Sequence, residues 1–124
     1  VCIDGLSELE IAIEYRKSDI FLSTGYPEGF GLPPLEALFS GCVVVGFAGR
    51  GGRQFLIDGV NSLVAEDGDC IGAAMKLIKV LQDSSLKEDI RKAGQAIRYE
   101  YNLSSMKKKI REFYLSVDSN IKRI

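Results

Sequence analysis

Two glutamates with seven residues between them, Glu28 and Glu36, frame the run Glu28-Gly29-Phe30-Gly31-Leu32-Pro33-Pro34-Leu35-Glu36. Gly29 and Gly31 let the backbone approach a ligand closely, and the free amides of a helix start hold phosphate or sugar oxygens. Glu28 precedes the helix and Glu36 falls in its first turn, so both carboxylates are expected to face one crevice. The same residues also have an ordinary explanation. A helix dipole favours a first-turn glutamate without any ligand, and Gly-x-Gly loops are common turn chemistry. The chain contains no histidine. That excludes Ser-His and Cys-His nucleophile pairs and most zinc hydrolase designs, so chemistry rests on carboxylates, lysines, arginines and backbone amides.

The elements around this run place it at the carboxyl end of a strand. Ile20-Phe21-Leu22 and Cys42-Val43-Val44-Val45-Gly46-Phe47 are short apolar runs suited to buried parallel strands. Leu32 to Ser40 between them is helix-like, with Pro33 or Pro34 tolerated in the first turn and Gly41 as its stop. In an open α/β sheet, ligands bind where such a strand runs into such a helix. Ser7 and Glu10 form a capping box for a helix to about Lys17, and Ser85 with Glu88 form a second. Asp58-Gly59 is a turn, Ser62 to Ala65 a third strand, and Asp67-Gly68-Asp69 a loop into a further helix. Ile71, Ala74, Met75, Ile78 and Leu81, then Met106, Ile110, Phe113 and Val117, recur at helical spacing. They predict amphipathic helices covering the sheet, the last capped by Asn102. The fold class is α/β, a doubly wound parallel sheet.

With 124 residues, 46% of them hydrophobic, the chain is sized for one domain. Sixteen Lys and Arg against 17 Asp and Glu give no general attraction for nucleic acid. Cys2, Cys42 and Cys70 lie far apart and read as reduced structural thiols, with no metal site expected. No apolar run approaches the ~20 residues that cross a bilayer, and the start lacks a signal-peptide pattern, so a cytoplasmic protein is expected.

The string Glu28 to Ala37, followed by Ser40-Gly41-Cys42 and the valine strand, closely resembles the signature of retaining GT-B glycosyltransferases of the group 1 family. Tyr15 to Phe21 is similar to that family's helix-to-strand entry, and Asp58 to Val64 to its later turn and strand. The resemblance implies a Rossmann-like donor domain, the C-terminal half of a GT-B fold, represented in part by residues 1–124. It implies that Glu36 accepts hydrogen bonds from the ribose of a nucleotide diphosphate sugar. Glu28 would be the catalytic carboxylate against the transferred sugar, and the amides of Gly29, Phe30, Gly31 and Leu32 would hold sugar and diphosphate. It calls for no cofactor besides this donor substrate and no metal. The acceptor, a glycan or lipid-linked sugar, would come through an N-terminal domain absent from this sequence, leaving the isolated chain a fragment without activity.

The chain departs from the pattern in places. Val43 stands where the family usually has proline. Gly49-Arg50-Gly51-Gly52-Arg53-Gln54 replaces a common Gly-Gly-x-Pro-Glu, which loses a glutamate and adds two arginines, read here as solvated. Lys107, Lys108, Lys109 and Arg111 offer either an anionic-membrane contact or a solvated helix face. A binding or interaction module without transfer chemistry is the rival reading, and a nucleotide-sugar epimerase a more distant one. If Val1 to Asp4 is a remnant strand, the strand at Ile20 keeps an open edge and the fragment is expected to form a homodimer.

Overall fold

The computed structural model describes residues 4–121. Along the chain run α1 (Glu8–Lys17), β1 (Ile20–Ser23), α2 (Leu32–Ser40), β2 (Val43–Phe47), α3 (Gly49–Gly52), β3 (Leu63–Ala65), α4 (Cys70–Gln82) and α5 (Ser84–Ala96). A short 3-10 turn (Ile97–Tyr99) and α6 (Leu103–Ile121) complete it. The strands form one parallel sheet in the order β1-β2-β3. This is the α/β, Rossmann-like arrangement expected. The segment Val1 to Asp4, read as a remnant strand, lies outside the described residues apart from Asp4, which is exposed and in no element. Among the described residues nothing pairs with the outer edge of β1.

β2 is buried along its whole length. Its alternating side chains feed two clusters, as a covered parallel strand requires. Val44 packs with Leu35, Leu38, Phe55 and Leu56, while Val43 and Val45 pack with Leu63, Val80 and Ile90. The Ser7 hydroxyl accepts from the Glu10 amide while the Glu10 carboxylate accepts from the Ser7 amide, the expected capping box. Asn102 accepts from the Ser105 amide at the head of α6, also as expected.

Two expectations need correcting. The second capping box does not form, because α5 starts two residues early: Asp83 ends α4 and accepts from the Leu86 amide, which puts Ser85 inside the helix. The stripe Ile71, Met75, Ile78 and Leu81 faces outward. Ala73 and Val80 turn inward instead, with Leu77 packed beside them, since the small Ala73 lets α4 lie close on β2 and β3. Met106, Ile110, Phe113 and Val117 of α6 are exposed as well, so α6 does not cover the sheet. No described helix is long and apolar enough to cross a membrane.

Asp19, just before β1, ties α5 to the amino end of the sheet through Arg91 at 2.7 Å and Lys87 at 3.6 Å. The Arg91 hydrogen bond and then the Lys87 charge hold its carboxyl below the usual range. A depressed carboxyl stabilises fully above its unfolded pKa, about 3.9, and loses that contribution as pH falls through its folded value. The gap in urea midpoint between wild type and Arg91→Ala should therefore be larger at pH 7 than at pH 3. Ile90→Ala, at a site 2% exposed, should cost about 2–5 kcal/mol. Met75→Ala, at 66% exposure, should stay within about 0.5 kcal/mol by the same urea measurement.

Candidate functional site

Parallel strands end together, so the carboxyl ends of β1, β2 and β3 at Ser23, Phe47 and Ala65 share one edge. The buried Ser23 hydroxyl donates to the Phe47 carbonyl at 2.8 Å and locks the first two. Residues 24–31 leave β1 there and enter α2. Gly31, with φ 82° and ψ 57°, is the N-cap and offers no side-chain cap. That left-handed backbone suits glycine and turns the chain sharply into the helix. Pro33 and Pro34 carry no amide hydrogen, and the Leu35 amide donates to the Gly31 carbonyl. Among the described residues, the amides of Gly29, Phe30, Gly31 and Leu32 donate to no protein acceptor. These four free donors, the last two at the helix start, form a largely exposed crest of the kind from which an anion can accept hydrogen bonds.

Glu28 is exposed at one side of this crest and lines a depression of about 190 Å³ with Ser23, Thr24, Gly25, Pro33 and Pro34. Glu36 does not share it, which corrects the expectation of a common crevice. Because α2 begins at Leu32, Glu36 is its fifth residue, beyond the first turn. It lines a groove of about 490 Å³ between α1 and α2, with Glu8, Ile11, Tyr15 and Phe39. Burial, then the Glu36 charge, then Cys42 push the Tyr15 phenol up.

The loop is held from behind by the turn after β2. Gly49 has φ 60°, and a Cβ there would stand 2.7 Å from the Glu28 Cβ; a Cβ on Gly51 would run into the Gly29 carbonyl oxygen. The Arg50 amide donates to the Glu28 carbonyl at 3.2 Å. The turn in turn hangs on Asp67, which accepts from the Gly49 amide at 3.0 Å. Arg53 donates to the Gly49 carbonyl and pairs with Glu66 at 3.2 Å and Asp67 at 3.5 Å. Arg53 is exposed, as expected of a solvated arginine, and in addition braces this turn through those contacts, whereas the Arg50 side chain makes no ion pair among the described residues. The glycine spacing of 49–52 was the available sequence signal for this interlock. Lys107, Lys108, Lys109 and Arg111 sit exposed on α6.

The family model described as "Glycosyl transferases group 1" matches residues 3–97. Over 73 residues the chain is 36% identical to a poly(glycerol-phosphate) alpha-glucosyltransferase of Bacillus subtilis, covering 58% of this chain and 11% of that protein. Over 125 residues it is 29% identical to an alpha-1,6-glucosyltransferase of Actinobacillus pleuropneumoniae, covering 92% of this chain and 36% of that one. Its structure is similar, with a TM-score of 0.74 and 29% identity, to the C-terminal domain of a glycosyl transferase group 1 family protein (LpcC) from Francisella tularensis. That match covers 83% of this chain and 53% of the other. The chain therefore spans about half or less of each of these three proteins.

The interlock gives a direct test. Gly51→Ala should cost roughly 1–3 kcal/mol, because backbone has to move to admit the methyl group. A Cβ at Gly29 meets nothing within 4 Å, so Gly29→Ala should stay within about 1 kcal/mol. Chemical denaturation of both variants measures the contrast, and equal effects would sink the steric account.

Proposed function

The chain belongs to the glycosyl transferases group 1 family, and from that premise we propose that residues 1–124 supply the donor side of a retaining hexosyl transfer from a nucleotide diphosphate sugar. The observation that carries this reading is the row of free amides from Gly29 to Leu32, flanked by Glu28 and Glu36 in separate depressions. An extended ligand suits that layout. The diphosphate lies over the amides, the ribose reaches Glu36 in the α1–α2 groove, and the transferred sugar reaches Glu28.

In the step we propose, the bond between the anomeric carbon and the leaving phosphate oxygen lengthens first, and the sugar takes on oxocarbenium character. The acceptor hydroxyl oxygen bonds to that carbon on the face the phosphate leaves, which retains configuration, and its proton passes to the departing phosphate. The Glu28 carboxylate stabilises the cationic sugar, and the amides stabilise the charge building on the leaving group. No histidine base is needed. The acceptor, a glycan or lipid-linked sugar, is bound outside these residues, so the isolated chain is expected to bind donor without transferring it.

Nucleotide diphosphate sugars screened against the intact protein by thermal shift should stabilise it by ~2.7 kcal/mol at 100 times the dissociation constant. A flat response to every donor would exclude the reading. Glu36→Ala should weaken donor binding by about 1–3 kcal/mol through unpaired ribose hydroxyls. Glu28→Gln should lower kcat more than donor affinity, because its charge matters most when the sugar turns cationic. Matched losses in kcat and affinity would reduce Glu28 to a binding role.

A further inference from the structure

The amide crest needs a hold on its outer side, and that side is nearly open. Phe30, in the middle of the four free amides, is 40% exposed. Next to its ring lies an apolar hollow of about 510 Å³, lined by Phe30, Leu35, Tyr101, Leu103, Met106 and Ile110. A ring free to swing into that hollow would carry the Gly29 and Gly31 amides with it. Two rings oppose this. Phe55, 2% exposed in the core, stands 5.4 Å from Phe30 between centroids, and Tyr101 stands 6.4 Å from Phe30 and 5.9 Å from Phe55. The Tyr101 hydroxyl donates to the Gln54 carbonyl at 3.4 Å, at the foot of the turn that backs Glu28. Tyr101 thus touches both the loop that bears the crest and the segment that braces it, although it lies far along the chain from each.

We propose that Tyr101 is a positioning residue for the 28–32 loop, acting through the Phe30 ring to fix the amides that face the donor diphosphate; the part concerning the donor rests on the function proposed above. Its ring does most of this, because the hydroxyl contact is long and partly exposed, and a bond at 3.4 Å is weak. Aromatic contacts of this kind change equilibria by up to about tenfold.

The test separates the positioning role from the function. Two amides report loop order without any ligand: that of Arg50, held by the Glu28 carbonyl, and that of Leu35, held by the Gly31 carbonyl. In the intact protein, Tyr101→Leu should speed hydrogen exchange at both by about tenfold and leave the β2 amides unchanged. Tyr101→Phe should restore exchange to within about threefold of wild type. If the nucleotide diphosphate sugar identified by thermal shift binds wild type, its dissociation constant should rise about tenfold in Tyr101→Leu and recover in Tyr101→Phe. Unchanged exchange at Arg50 and Leu35 overturns the proposal. Equal acceleration throughout β2 also overturns it, since that reports general loss of stability. A wild-type protein that binds no such donor sinks the functional reading alone, because the exchange pattern is decided without ligand.

Discussion

Burial of β2 on both faces is the constraint from which the remaining arrangement follows. A five-residue strand with every side chain covered needs helices on two sides and a neighbour along each edge. Val44 draws α2 onto one face while Val43 and Val45 draw α4 and α5 onto the other. Once β1 and β3 lie parallel to it, their carboxyl ends cannot avoid meeting at one edge. The loop carrying Glu28, the turn carrying Gly49 and the loop carrying Asp67 are thereby brought together by backbone hydrogen bonding, before any contact among their own side chains.

The site assembled at that edge is an open amide surface beside the Glu28 depression, while Glu36 stands apart in the groove between α1 and α2. Its affinity for an anion would come from largely exposed donors that have no protein partner, as at any helix start, and are available to a ligand. The two glutamates differ in surroundings as well as position. Glu28 stands over backbone, with glycines behind it, whereas Glu36 lies in a groove with Ile11, Phe39 and the buried Tyr15. A ligand touching both has to be long and of changing polarity along its length.

Elements whose signal is local were legible in the sequence. The Ser7–Glu10 box, the proline-led α2 with its Gly41 stop and the valine strand each depend on neighbours a few residues away, and each forms where expected. The run from Glu28 to Glu36 was likewise legible as a loop feeding a helix. Errors arose where a choice of face or a distant contact decides. In α4 two apolar stripes compete, and only packing against β2 selects Ala73 and Val80 over Ile71 and Met75. Arg53 is exposed as expected, but its partners Glu66 and Asp67 were not legible, because they are brought near only by the chain that follows β3. Nothing in the spacing of residues 30 and 101 could have announced the contact between Phe30 and Tyr101.

The turn behind Glu28 holds three glycines in four residues, Gly49, Gly51 and Gly52. Such a stretch has the largest conformational entropy to surrender on folding, at about 1–2 kcal/mol for the backbone of an ordinary residue and more for glycine. Burial of Ala48, Phe55 and Leu56 on either side offsets much of this, and the remainder comes from the Asp67 bond to the Gly49 amide and the Arg53 pairs, which are partly exposed and weakened by salt. The floor of the site is therefore anchored at both ends in the same core that packs β2, and braced at its surface by charge. Of these two holds, ionic strength reaches only the surface one.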